Sequence, residues 1–351
     1  MLAFDFLPAR HGDSFLLRWG TPERIMLVDG GPDTVYEHTL RPRLMSIPHP
    51  PGGRPVIDAL CVSHVDDDHI VGVIRLLKEL VTAKNDGDPL PIQVDRLWFN
   101  SIDAIVDHTQ PRLAASVHTL ITKHTLDTAA AASFAQGSEV RDRAAALNLN
   151  GNAPFDALLT TGMTTDLHGL HVTVVGPNDA AIAKLAAKWR EAIKKKTTTV
   201  IANAFKDRTV PNLSSIALYI QHGDQTALLT GDARGDHLIS GLESTGLLAV
   251  DGVMHVNVFK LPHHGSENNA APVLFNKIRA DHYVICADGV KHEHPSPATL
   301  EWLVASRKAS DQYTIHLTNP IPAAENLLSG LAIGRSFTVL VGSPNVTITL
   351  A

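Results

Sequence analysis

A chain of 351 residues, of which 44% are hydrophobic and 19% charged, has ordinary globular composition and is long enough to bury a large core. Its formal net charge of −6 excludes the overall basic character of many nucleic-acid-binding proteins, although a local basic patch stays open. No apolar run approaches the roughly 20 residues of a membrane span, and the N-terminus lacks the basic segment of a signal peptide. Cys61 and Cys286 lie in apolar runs, which indicates buried thiols. We therefore expect a cytoplasmic protein that does not associate with membranes.

The first sixty residues predict a β-meander that leads into a further strand. Strands are expected at 2–6, 14–19 and 24–28, and the third ends in the polar turn Asp29-Gly30-Gly31. After a loop rich in Pro and Gly near residue 50, an apolar run at 56–63 predicts the next strand, and a helix should follow to about residue 84. Another strand is expected at 94–99. The turn at 64–69 thus connects a strand to a helix.

The middle of the chain predicts helices. Ala-rich stretches at 113–126 and 128–147 have high helical propensity, so we expect a helical insertion at about 101–149. It contains His108, His118 and His124, which we expect at the surface because none belongs to a dense ligand cluster. A strand at 170–175 precedes a helix at 178–196 with a basic end. That end is favoured by the helix dipole, and the alternative is a patch that contacts phosphate.

The C-terminal part alternates strands and helices. A hairpin is expected at 214–221 and 225–230, and further strands at 256–261, 283–287, 314–317, 337–341 and 346–350, with helices at 236–245, 271–278 and 299–306. Strands occur in runs at both ends of the chain, and the sequence has no repeat period. This order indicates a layered α/β sandwich.

The turn His64-Val65-Asp66-Asp67-Asp68-His69, called the acidic turn below, crowds two imidazoles and three carboxylates together. Imidazole with carboxylate is the ligand set of Zn²⁺, or of a harder divalent ion where oxygen dominates. The alternative is a surface turn that caps the following helix, with Asp67 or Asp68 as the N-cap. Capping explains one carboxylate, whereas a cation explains the whole group, so we favour the metal interpretation.

Four segments share one design, in which an apolar strand ends in residues that bind metals. They are the acidic turn, Asp232, His263-His264 and His294. Ligands at strand ends are the expected way to build a site on a rigid scaffold. Four such segments in one chain make a shared site a stronger hypothesis than any one of them would.

The order of these segments resembles the metallo-β-lactamase superfamily. His64-x-Asp66-x-Asp68-His69 is similar to its HxHxDH signature, with Asp66 in place of the second histidine. The subgroup most similar is the metallo-β-lactamase-like domain of ComEC-type DNA-uptake proteins. The other matching segments are Asp29, Gly12-Asp13-Ser14, Asn212-x-Ser214, Thr230-Gly231-Asp232, Pro262-His263-His264-Gly265-Ser266 and His294-Pro295. The match runs from residue 2 to about 305 and leaves 101–149 and the last strands unmatched.

This resemblance implies one four-layer αββα sandwich over 1–351, with the insertion at about 101–149 and metal in the cleft between sheet edges. It implies that Asp29 supports the metal loop and that Asp232 bridges two cations. His64 and Asp66 would bind the first cation, and Asp68, His69 and His263 the second. His264 is an alternative to His263. The third histidine of the first site is absent where Asn212 and Ser214 stand, and Asp66 hardens that site, so one or two ions of Zn²⁺ or Mn²⁺ stay open.

The implied reaction is hydrolysis by a metal-bound hydroxide that Asp232 holds in line, with Asp68, Asp232 and His294 as the catalytic residues. His294 could protonate a leaving oxygen or hold a phosphate, and the alternative is a residue at a helix entry. His11, beside Asp13, could face the cleft. The favoured function is a phosphodiesterase or nuclease. The alternatives are a hydrolase of lactams, lactones or thioesters, and a non-catalytic protein that binds a protein partner through 101–149.

Overall fold

The computed structural model describes residues 1–101, 104–105, 129–149, 151–194, 212 and 214–350, without the side chains of 129–134 and 188–194. In this part of the chain the strands are β1 (Leu2–Phe6), β2 (Phe15–Trp19), β3 (Arg24–Val28), β4 (Val56–Ile57), β5 (Ala59–Val62), β6 (Gln93–Val94), β7 (Leu97–Phe99), β8 (Thr164–Leu167), β9 (Leu170–Gly176), β10 (Ala217–His222), β11 (Gln225–Leu229), β12 (Met254–Lys260), β13 (Ile278–Ile285), β14 (Thr314–Leu317), β15 (Thr338–Val341) and β16 (Val346–Leu350).

The helices in the same part of the chain are α1 (Arg41–Met45), α2 (Asp67–Asp86), α3 (Ala129–Ala146), α4 (Asp179–Lys194), α5 (Gly235–Ser244), α6 (Pro272–Lys277), α7 (Pro297–Ala305) and α8 (Pro322–Leu331). A π-helical turn, Tyr36–Leu40, precedes α1, and a 3₁₀ turn, Pro262–Gly265, follows β12. None of these helices has the length and hydropathy that crossing a membrane requires.

Two large sheets form the centre of the molecule. The first has the order β16-β1-β2-β3-β5-β7, and the second has the order β15-β14-β13-β12-β11-β10-β9-β8. In the first sheet β3, β5 and β7 run parallel, and in the second β11 to β15 run parallel. Apolar side chains of both sheets form one buried cluster between them, with Phe4 and Phe15 from the first and Leu218 and Val258 from the second.

Helices cover the outer face of each sheet. Ile70 and Leu77 of α2 pack with Leu60 of the first sheet, in a cluster that α3 and α4 join. On the other side, Leu238 of α5 and Leu303 of α7 pack in the cluster that covers the second sheet, with α6 and α8. Amphipathic helices must bury one face in this way. The αββα sandwich expected from the sequence is therefore confirmed.

The described part of the insertion belongs to the outer helical layer. Helix α3 buries Val140 and Ala144 in the cluster that contains α2, and Lys84 at the end of α2 donates to the carbonyl of Ala146 at 2.6 Å. The helix expected at 128–147 is confirmed. The stretch at 113–126, the three histidines His108, His118 and His124, and Lys195-Lys196 of the basic end lie outside the described residues.

Three local expectations need correction. The strand at 56–63 is divided, because β4 pairs with β6 in a separate two-stranded sheet while β5 joins the first large sheet. Helix α2 starts at Asp67 with Asp66 as the N-cap, so neither Asp67 nor Asp68 occupies that position. Strand β8 was not predicted, because its residues Thr-Thr-Asp-Leu are mostly exposed and lack apolar alternation.

Candidate metal centre

The candidate site lies where strands of both sheets end. The acidic turn follows β5, Asp232 follows β11, and the turn with His263 and His264 follows β12. Backbone hydrogen bonds connect these turns. Ile216 N donates to Ser63 O at 2.9 Å, and His263 N donates to Gly231 O at 3.1 Å. The site is thus assembled by main-chain bonds between rigid elements, which is the arrangement a precise site needs.

Asp232 is the centre of the cluster. It is 2% exposed, and its two oxygens face different pairs of imidazoles. Oδ1 lies 3.3 Å from Nε2 of His69 and 3.7 Å from Nε2 of His264. Oδ2 lies 3.6 Å from Nε2 of His64 and 3.6 Å from Nε2 of His263. Residues from three separate turns therefore meet at one carboxylate.

Two of these imidazoles have their tautomer fixed by an acceptor at Nδ1. His69 Nδ1 lies 2.8 Å from Oδ2 of Asp29, and His264 Nδ1 lies 2.8 Å from the carbonyl oxygen of Cys286. Neither acceptor can donate, so both Nδ1 atoms carry the proton. Metal-binding histidines have this type of partner, which leaves the Nε2 lone pair for the cation.

The other two follow the same rule through one further residue each. Ser63 Oγ donates to Oδ2 of Asp29 at 2.7 Å, so it accepts from Nδ1 of His64 at 3.0 Å. Asn269 Nδ2 donates to the carbonyl of Asp232 at 2.8 Å, which turns its Oδ1 towards Nδ1 of His263 at 2.6 Å. All four imidazoles thus present Nε2 to Asp232, and Asp29 supports two of them.

Several polar atoms of the cluster are buried without a hydrogen-bond partner among the described residues. They are Nε2 of His64, His69 and His264, and Oδ1 of Asp232. An unsatisfied buried polar atom costs about 1–3 kcal/mol, and more when it is charged. Ligand atoms of Asp13, His69, Asp232 and His264 lie within 4.8 Å of one another. These residues fit a divalent cation, which would satisfy the unpartnered atoms.

The remaining predicted ligands divide between the two sides of Asp232. Asp68 Oδ2 lies 3.3 Å from Nε2 of His264, and Asp66 Oδ2 lies 3.7 Å from Nε2 of His64. The Oδ1 group is therefore Asp68, His69 and His264, and the Oδ2 group is His64, Asp66 and His263. The sequence preference for His263 beside Asp68 and His69 stays a prediction, and this arrangement favours His264 there. His263 lies instead in the group whose third histidine is absent from the motif.

Asn212 and Ser214, which stand at that absent position, are both buried. Asn212 Nδ2 lies 3.4 Å from Nδ1 of His263, on the side of the ring away from Asp232. The structure therefore places Asn212 behind a candidate ligand.

The backbone of the turn after β12 explains how two consecutive histidines face the same carboxylate. His263 and His264 both have positive φ, 47° and 55°, which is strained for residues with a Cβ. The turn is held by Ser266 N on His263 O at 2.8 Å and by Ser296 N on Gly265 O at 3.0 Å. Strain of this kind is typical of functional sites, where surrounding structure maintains it.

The charges of the cluster stabilise one another. Burial alone would raise the pKa of Asp232, but the imidazoles around it, His263 foremost, hold that pKa well below its usual value. Burial lowers the pKa of His264, and Asp232, Asp13 and Asp68 outweigh burial and raise the pKa to about 10. The pKa of His69 is raised by Asp232 and Asp29 in the same way. Without a cation, protons therefore occupy the cluster.

Metal binding should stabilise the protein more strongly as the pH rises. The raised pKa of His264 gives the metal-free protein stability that is complete below about pH 6.5 and is lost as the pH rises through about 10. A cation must displace these protons, so its effect grows over that window. Melting temperatures measured with EDTA and with Mn²⁺ between about pH 6 and about pH 9 should diverge. A constant difference would contradict the assignment.

A row of further histidines lines the mouth of the cleft. The His294 ring lies 5.5 Å from that of His263, and burial together with neighbouring imidazoles lowers its pKa to about 4. His11 lines the same narrow cleft with His264, His292 and His294, and its Nε2 lies 3.3 Å from the Lys291 ammonium. The structure therefore places His294 and His11 beside the cluster.

One residue was missed by sequence reasoning. Lys260, the last residue of β12, is fully buried and ion-paired with Asp13, which is 1% exposed. The only signal in the sequence was a lysine at the end of an apolar strand.

No family model and no curated protein matches the chain. It is similar to solved structures that include the metallo-beta-lactamase fold protein YhfI from Bacillus subtilis, 11% identical over 99% of each chain with a TM-score of 0.43. Zn(2+)-bound PqqB from Methylobacterium extorquens is 12% identical, over 97% of this chain and 88% of that one, with a TM-score of 0.45. CmlA, a diiron beta-hydroxylase from Streptomyces venezuelae, is 11% identical, over 99% of this chain and 54% of that one, with a TM-score of 0.44. The similarity is distant, and the αββα architecture follows from the strand order and layers.

Proposed function

We propose that the chain is a divalent-metal-dependent hydrolase of phosphodiester bonds whose reaction centre is the cluster around Asp232. One observation carries the proposal, namely that four imidazoles with protonated Nδ1 atoms turn Nε2 towards the two oxygens of one buried carboxylate. A set of imidazoles and carboxylates suits Zn²⁺ or Mn²⁺, and the two groups around Asp232 suit two ions.

Bound divalent cations would supply Lewis acidity and lower the pKa of water towards neutrality. Asp232, shared by both groups, is placed to accept a hydrogen bond from the attacking water and to orient it. Asp68, which is 15% exposed at its side chain, lies where the Oδ1 group opens to the cleft. The protein residues thus provide orientation at the point of attack.

His294 fits a role in holding the substrate better than a role as proton donor. Its lowered pKa, about 4, keeps the imidazole neutral at pH 7, with one N–H to donate. Its Nδ1 is buried without a hydrogen-bond partner in the described part of the chain. A neutral imidazole at this place can donate a hydrogen bond to a phosphate oxygen.

The phosphodiester is favoured over other substrates for two reasons. The carboxylate-rich ligand set hardens the site towards phosphate oxygen, and Lys291 with the cleft histidines supplies donors at its mouth. The resemblance to the ComEC-type domain, carried by the motifs above, supports nucleic acid or a nucleotide as substrate. A protein partner for residues 101–149 and a cytoplasmic location, which fits the free thiols Cys61 and Cys286, are parts of this proposal.

The test is a substrate panel with the purified protein, metal-free and then loaded with Zn²⁺ or Mn²⁺. The panel contains bis-p-nitrophenyl phosphate, single-stranded DNA, RNA, cyclic dinucleotides and a chromogenic lactam. We expect metal-dependent cleavage of phosphodiesters, and a steep loss of activity with salt where the substrate is a polyanion. Cleavage of the lactam alone would replace this proposal with a small-molecule hydrolase, and a protein that binds no divalent ion would overturn it.

A further inference from the structure

The ion pair between Lys260 and Asp13 lies directly behind the cluster. Lys260 is fully buried, and its ammonium pairs with the Asp13 carboxylate and donates to the carbonyl of Gly231 at 3.1 Å. Burying an ammonium is costly unless it is paired and hydrogen-bonded. A lysine in this place, where an apolar residue would continue β12, therefore calls for an explanation in the chemistry of the cluster.

The position of Asp13 excludes it from the front of the cluster. Its Oδ1 lies 3.3 Å from Nδ1 of His264, and its Oδ2 lies 3.8 Å from Nδ1 of His69. These are the ring atoms that face away from Asp232. Asp13 thus lies behind both imidazoles, although its oxygens are close enough to the other acceptors to join a cation site if they turned.

The pair also connects the turns that carry the candidate ligands. Asp13 N donates to the carbonyl of Asp68 at 3.1 Å, and Lys260 bonds to the residue that precedes Asp232. A Cβ added to Gly12 would lie 1.9 Å from the oxygen of Asp68, so only glycine allows the first hairpin to approach the acidic turn so closely. A single ion pair therefore holds the first hairpin, the acidic turn, the Gly231 turn and His264 together.

We propose that Lys260 is a positioning residue that holds Asp13 behind His264 and keeps its carboxylate out of the coordination sphere of the cation. Asp13 then orients the Nδ1 proton of His264, and Nε2 stays turned towards Asp68 and Asp232. This inference rests on the proposed metal centre. Without Lys260, the Asp13 carboxylate has no buried cation to pair with and turns to the metal as an additional oxygen ligand.

The test uses Co²⁺ as a spectroscopic probe in the full chain, because its visible absorption reports the number and type of ligands. Lys260→Met should bind Co²⁺ with a changed, weaker absorption, since an added oxygen ligand raises the coordination number. The double variant Lys260→Met/Asp13→Asn removes both charges and should regain the wild-type spectrum, with the Co²⁺ affinity lowered by no more than about 10–100-fold. Lys277→Met, which breaks a partly exposed pair with Glu243 outside the cluster, is the control and should leave the spectrum unchanged.

The outcomes separate this inference from the proposed function. A wild-type chain that binds no Co²⁺ or other divalent ion would overturn both. A Lys260→Met variant that binds Co²⁺ with the wild-type spectrum would overturn the positioning role alone. If Lys260→Met does not fold, the double variant decides, because a folded double variant that has lost one equivalent of Co²⁺ would show that Asp13 is itself a ligand.

Discussion

Replacing Asp232 with asparagine should abolish metal-dependent turnover, with a loss of about 10³-fold or more, which corresponds to several kcal/mol of transition-state stabilisation by the cations it holds. The carboxylate faces two imidazoles with each oxygen, and its oxygens are the only atoms among the described residues that both groups approach. An amide keeps the volume but offers one oxygen and no charge. The amide NH₂ group would also face Nε2 atoms that need their lone pairs for the cation.

The measurement is kcat together with the metal content of the purified variant. Asp58→Asn is the matched control, because Asp58 is equally buried but pairs with Arg24 and the backbone N–H of Ile25, outside the cluster. It should lose stability without losing metal. An Asp232→Asn variant that keeps both its metal and its turnover would remove the basis for a shared carboxylate.

The sequence predicts the location of the site better than its internal geometry. The acidic turn, Asp232 and the His263-His264 pair each follow an apolar strand, and parallel strands that end at one edge of a sheet bring such residues together. The motif pattern therefore predicts which turns meet. It is indifferent to the detailed boundaries of α2 and of the strand at 56–63, which tertiary packing decides.

What the sequence does not predict is which atom faces which. The division of His263 and His264 between the two oxygens of Asp232 depends on positive φ at both residues, and that conformation is maintained by hydrogen bonds from Ser266 and Ser296. Lys260 escapes prediction for a related reason. Whether a lysine at a strand end reaches solvent depends on the neighbouring turn, and here Asp13 from the first hairpin lies against it.

The two consecutive histidines should have separable effects if each oxygen of Asp232 serves its own cation. His264→Ala removes a ligand from the group that contains Asp68 and His69, and His263→Ala removes one from the group that contains His64. Each variant should retain about one equivalent of Mn²⁺ where the wild type binds two, and turnover should fall by roughly 10²–10³-fold in each because both cations act on one reaction. His255→Ala, on the same strand but exposed and paired with Asp281, is the control.

Metal content and electron paramagnetic resonance of bound Mn²⁺ distinguish the arrangements, because two ions that share a carboxylate couple magnetically and one ion does not. The coupled signal should be present in the wild type and in His255→Ala, and should give way to an isolated Mn²⁺ signal in either histidine variant. If His263→Ala keeps full activity and the wild-type signal, the Oδ2 group is not a cation site. In that case a single cation on the side of Asp68, His69 and His264 would have to carry the reaction, and His64 would act as a neighbour that positions Asp232 through its 3.6 Å approach to Oδ2.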